Sequence, residues 1–111
     1  MNHKKYYTIN AVYSIMTSKD IHQYSNPQKV LENGIKIFGP NFELYISSRK
    51  DKKYTIIDPY TKKHVHFGQL PYEDFTKHGD EARRQRFLRR NARWKDAYEF
   101  SPAFLSYHLL W

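Results

Sequence analysis

The stretch FELYISSRKDKKYTIIDPYTKKHVHFG, residues 42–68, decides the fold class. Its start alternates Phe42, Leu44 and Ile46 against Glu43, Tyr45 and Ser47, the period-two pattern of a strand with one buried face. Arg49-Lys50-Asp51-Lys52-Lys53 reads as a charged turn, and residues 54–57 as a second strand. Asp58-Pro59-Tyr60-Thr61 is a turn with Pro at its second position, after which residues 63–67 return antiparallel. The expectation is a β-meander with one face buried and one wet.

Upstream, residues 35–38 are expected to add a strand that ends in the turn Gly39-Pro40-Asn41. Residues 25–34 predict a helix of about two turns. Asn26 is its N-cap, Pro27 its first helical residue and Gly34 its left-handed C-terminal residue. Residues 17–24 read as a loop, and residues 6–15 (YYTINAVYSI) as a strand. Downstream of Gly68 the period changes. Residues 70–79 form a connecting loop with apolar anchors, and Asp80 caps a helix reaching about Trp94 or Ala97. Ser101-Pro102 repeats the cap-plus-proline start for a last short helix over residues 103–110. The sequence therefore predicts one small α+β domain across residues 1–111: N-terminal strands and an antiparallel meander, then an arginine-rich helix and a short C-terminal helix.

Composition narrows the function classes. At 111 residues a second domain would leave each half with a marginal core. The chain contains no cysteine, which excludes a disulfide scaffold, a thiolate zinc finger, an iron–sulfur site and a cysteine nucleophile. An aromatic share of 17% is too high for a disordered basic tail. No secretory signal is evident near the N-terminus, and the apolar run over residues 104–111 is far shorter than the roughly 20 residues that span a bilayer. That run is expected to pack against the domain or against another subunit.

The net charge of +8 is concentrated in residues 81–95, which carry six arginines and one lysine against one glutamate. On a helical wheel Arg83, Arg86, Arg89, Arg90 and Arg93 fill one arc of roughly 120°, with Leu88 opposite. Like charges at this spacing repel, so the face is expected to meet an anion. Phosphates, a carboxylate-rich partner and acidic side chains of the same domain all suit the planar guanidinium fork. A merely solvated helix face is the plainer alternative. No zinc-finger spacing, leucine heptad or RNA-recognition core accompanies the helix, which argues against base-specific reading.

Chemistry-bearing sets are sparse. His64 and His66 share one face of a predicted strand and could hold a metal only if His22 or His78 joined them. Lys62 and Lys63 beside them suggest a solvated face instead. Asp74, His78 and Asp80 could be drawn as an acid–base set, yet they sit where Asp caps helices. No P-loop, GxSxG or HExxH is present. No cofactor and no catalytic residue is expected.

The order of residues from Lys63-His64-Val65-His66-Phe67-Gly68 through Tyr72-Glu73-Asp74-Phe75-Thr76-Lys77-His78-Gly79-Asp80 to the arginines resembles a family of short basic proteins of nucleocytoplasmic large DNA viruses. The closing Phe104-Leu105-Ser106-Tyr107-His108-Leu109-Leu110-Trp111 fits the same pattern, and Asn91 departs from it where a His often follows the arginines. The resemblance covers residues 63–111 and implies a virus-encoded particle component without catalytic residues. The function expected first is a minor capsid or cementing protein on the inner side of the shell, present in the host cytoplasm during assembly. In it Arg83, Arg86, Arg89, Arg90 and Arg93 meet acidic surfaces of major capsid or other virion proteins, and Phe104, Tyr107 and Trp111 anchor in a neighbour. The alternative is a nucleic-acid-binding packaging or nucleoid protein whose arginines contact phosphates. A small metal-dependent nuclease or hydrolase would require the histidines to converge.

Overall fold

The computed structural model describes residues 20–111; the strand expected over residues 6–15 lies outside them. The fold is α+β, with a three-stranded antiparallel sheet in the order β1-β2-β3. The strands are β1 (Tyr45–Ile46), β2 (Lys52–Ile57) and β3 (His64–Gln69). Register is fixed by Ile46 opposite Tyr54 and Tyr54 opposite Phe67, and all three side chains are buried. The alternation of Phe42, Leu44 and Ile46 is realised, since all three are buried, although only Tyr45 and Ile46 pair as strand. Ser47, expected on the wet side, is also buried.

Helix α1 runs over Pro27–Phe38 and corrects two expectations. Asn26 does cap it, its side chain accepting from the Lys29 N–H at 3.1 Å, and Pro27 does open it. Gly34, however, lies inside the helix, and residues 35–38 are its last turn where a strand was expected. The reason is packing. A Cβ at position 34 would overlap the Phe42 ring, so the glycine opens space for that ring and leaves the helix intact. The chain leaves the helix at Gly39, where φ is 98°. Upstream, the described part of the expected 17–24 loop contains a 3₁₀ turn at Ile21–Gln23, with Ile21 fully buried.

The second half is more helical than expected. Within the predicted 70–79 loop, helix α2 occupies Phe75–His78 and ends at Gly79 in the left-handed region. Helix α3, Glu81–Arg90, begins as predicted, with Asp80 accepting from the Arg83 N–H at 3.1 Å. It stops at Arg90, short of Trp94, because Asn91 turns both its N–H and its side-chain amide onto the Phe87 carbonyl. A 3₁₀ segment, Ala92–Asp96, follows. Ser101 caps α4 (Pro102–Leu105), which widens into a π turn over Ser106–Leu110. That wider turn buries Leu109 and Leu110 together with Leu105. Asn33 of α1 donates to the Leu109 carbonyl at 2.8 Å, tying the C-terminal segment to the first helix. Among the described residues no helix is long and apolar enough to cross a membrane.

Candidate functional site: an arginine-rimmed groove

Helix α3 buries no residue completely. Its inner side is Arg84, Phe87 and Leu88, each half-buried. The Phe87 ring stacks on Trp111 at 4.3 Å with the planes 7° apart, and Trp94 meets Phe87 edge-on at 5.9 Å. Arg84 is the arginine with a structural task. Its Nε donates to the Trp111 main-chain oxygen at 2.7 Å, a terminal nitrogen pairs with Glu81 at 3.1 Å, and its guanidinium lies over the Phe75 ring. These contacts pin the arginine helix onto the C-terminal segment.

The remaining arginines divide into two groups. Arg83, Arg86 and Arg90 line a groove of about 850 Å³ together with Lys52, Tyr72 and Glu73. Arg89 and Arg93 are exposed but do not line it, and Arg93 belongs to the 3₁₀ segment. The single arc of five is thus broken, because the α-helix ends before Arg93. None of the five forms an ion pair or side-chain hydrogen bond with another described residue. This removes acidic groups of the described domain from the three partners the sequence allowed. The groove floor includes Gly68, Ala103, Ser106 and Leu110, with Phe87, Trp94 and Trp111 toward the helix. Cationic rim, small-residue floor and aromatic wall therefore meet in one depression.

The C-terminal aromatics are placed within the domain. Trp111 packs against the core, and Phe104 lies 6.2 Å from Phe38 and 4.1 Å from His108. Tyr107 is half-buried beside His108. Phe104 and Trp111 thus pack within the domain's own C-terminal segment, and all three side chains are half-buried. Trp111 also lines the groove.

A buried polar chain that the sequence did not signal supports the groove from below. The Lys53 ammonium meets the Asp74 carboxylate at 3.1 Å, with side chains 2% and 1% exposed. The second Asp74 oxygen accepts from the Thr76 hydroxyl at 2.5 Å. Ser25 and Thr76 hydroxyls are 3.2 Å apart, and the Tyr54 hydroxyl donates to Ser25 at 2.7 Å. One direction satisfies the row: Tyr54 to Ser25 to Thr76 to the carboxylate, with the ammonium on its other oxygen. Burial pushes the Lys53 ammonium down while Asp74 pulls it back up, leaving it below its ordinary value. Burial raises the Tyr54 phenol well above its usual range, so it remains a donor. Lys53 had read as part of a charged turn and Asp74 as part of a loop, with only the Asp-x-Thr spacing hinting at a shared task.

The histidines do not converge. His64 is exposed, while His66, expected on a solvated face, is half-buried with Nδ1 at 2.7 Å from Ser47 and 2.8 Å from Thr55. His78 Nδ1 accepts from the Asp80 N–H at 2.9 Å, and burial, together with nearby Arg83, holds its pKa below the usual value. Among the described residues no cluster of three metal-ligating side chains occurs. Asp74, His78 and Asp80 serve an ion pair, a backbone contact and a helix cap respectively, so they do not form one acid–base set.

A family model described as a family of unknown function (DUF5754) matches residues 42–91. The matched segment runs from Phe42 to Asn91 and holds the sheet, α2 and the arginine helix. It includes the groove arginines and the Lys53–Asp74 pair, but not Trp94, Ala103 or Trp111. No curated protein and no solved structure matches the chain.

Proposed function

We propose that this protein is a non-catalytic binding module that docks an acidic protein surface in its arginine-rimmed groove. In the setting the family resemblance implies, it acts as a minor capsid or cementing component of a large DNA virus. There it bridges major capsid subunits on the inner side of the shell, with the host cytoplasm as the place of assembly. One observation carries the binding role: Arg83, Arg86 and Arg90 line an apolar-floored groove and have no anionic partner among the described residues. Clustered arginines repel unless an oxyanion sits between them, and carboxylates are bidentate acceptors for their forks. A concave, partly apolar site suits inserted side chains better than it suits a rigid, convex duplex backbone.

Arg89 and Arg93 favour a second reading. They extend the cationic surface beyond the groove, as a phosphate-contacting packaging protein would need. Binding to polyglutamate and to duplex DNA across a salt series separates the two. Acidic-protein docking predicts polyglutamate binding that falls roughly tenfold or more in Arg86→Glu/Arg90→Glu. A log–log salt slope near −0.9 per phosphate contact on DNA, with polyglutamate failing to compete, would replace it with the nucleic-acid reading. In purified particles the chain should fractionate with the shell; recovery with the genome argues for the alternative.

A further inference from the structure

Resting on that docking role, we infer that the groove takes an extended segment of a partner protein in which acidic residues alternate with aromatic or large aliphatic ones. Three features of the groove select this chemistry. Arg83, Arg86 and Arg90 stand three and four residues apart on α3, so the row is roughly 10 Å long at about 1.5 Å per residue. An extended chain advances about 3.4 Å per residue and sends alternate side chains to opposite sides. Two carboxylates at i and i+2 therefore fall within reach of the three guanidiniums, and the side chain between them points the other way.

The other direction is the floor. Ala103 and Ser106 are small and only half-buried there, while Trp94, Trp111 and Tyr72 offer ring surface to an entering apolar group. A purely acidic segment would satisfy the rim and leave this apolar surface wet. A purely apolar one would leave the arginines desolvated without partners. The alternating pattern satisfies both at once. Lys53 contributes no free charge here, since Asp74 neutralises it. The net cationic character of the groove comes from Arg83, Arg86 and Arg90 of α3, with Glu73 opposing them among the described lining residues.

The site also reports its own occupancy. The chain has two tryptophans, Trp94 and Trp111, and both line the groove. The test uses the full chain and three capped probes: an octapeptide alternating Asp with Phe and Leu, an octapeptide of the same net charge alternating Asp with Ser, and a twelve-nucleotide oligothymidylate. Intrinsic tryptophan fluorescence and the anisotropy of labelled probes are recorded together. The alternating Asp–Phe/Leu peptide should bind roughly tenfold or more tightly than the Asp–Ser peptide, as burial of an aromatic side chain implies. It should also shift the tryptophan emission. Ala103→Leu, which fills the floor, should abolish that advantage. Tyr72→Ala, at a site 66% exposed and so harmless to folding, should reduce it in the same sense.

If both peptides bind equally and Ala103→Leu changes neither, the rim docks acids but the groove selects nothing, and the inference fails while the docking role stands. If neither peptide binds, or the oligothymidylate outcompetes both, the docking role fails as well.

Discussion

Lys53 and Asp74 show most sharply what a single residue does here. A lysine that is 2% exposed carries a large desolvation penalty, which one carboxylate at 3.1 Å and the hydroxyl row behind it compensate. Removing one partner leaves the other charge buried and alone. Asp74→Leu should therefore cost roughly 3–5 kcal/mol of unfolding free energy by urea titration, a large share of the 5–15 kcal/mol typical of a domain. The double variant Lys53→Met/Asp74→Leu should recover most of that loss, because the apolar replacements need no partner. A double variant as unstable as the single one would mean that the hydroxyls, and not the ion pair, hold this region. None of this was readable in Arg49-Lys50-Asp51-Lys52-Lys53, where five consecutive charged positions look like solvated turn. Burial of the last one depends on Asp74, which is distant in sequence, and a local pattern carries no information about that pairing.

At the scale of elements, the helix starts were legible and the helix ends were not. Asn26, Asp80 and Ser101 each accept from a main-chain N–H three residues on, a local bond between neighbours in sequence. Ends depended on partners from elsewhere. Gly34 looked like a stop, but the Phe42 ring that needs its missing Cβ is not adjacent in sequence. The end of α3 at Asn91 likewise cut Arg93 out of the predicted arc. The cap of α3 gives an acid-range prediction. The Arg83 N–H holds the Asp80 carboxyl below its ordinary 3.8, burial opposes this, and the Ala82 N–H, His78 and Arg86 add to the lowering. Because the folded value is the lower one, the ionised cap contributes its full stability above about 3.8 and loses it as pH falls through the folded value. Asp80→Asn keeps a good cap but cannot titrate. Across pH 5 to 2, measured by thermal melting, the wild type should lose more stability than Asp80→Asn, whereas Asp80→Ala should be weaker at every pH. Parallel acid limbs for wild type and Asp80→Asn would show that the carboxylate adds nothing beyond its hydrogen bond.

Across the whole molecule, stability and function are carried by different parts. The tightly buried groups, Tyr54, Phe67, Leu31 and Leu105 among them, come from the sheet, α1 and the C-terminal segment. The arginine helix contributes none of them and is held by Phe87, Leu88 and the Arg84 contacts to Glu81, Phe75 and Trp111. Regions with few buried apolar contacts open at lower cost than the global transition. The α3 amides should therefore exchange with deuterium through local opening, ahead of those in β2 and β3. Trp111 is the main apolar link, stacked on Phe87 and packed on the core. Trp111→Ala should leave exchange in β2 and β3 close to wild type and accelerate it in α3 by roughly tenfold, the factor that about 1.4 kcal/mol of lost packing corresponds to. Uniform acceleration across all elements would instead make α3 part of one cooperative unit with the sheet. Local release is the expected outcome, because the four unneutralised arginines of α3, Arg83, Arg86, Arg89 and Arg90, repel one another. An acidic ligand spanning Arg83 and Arg90 should reverse it, slowing α3 exchange in both wild type and Trp111→Ala by binding the closed form alone.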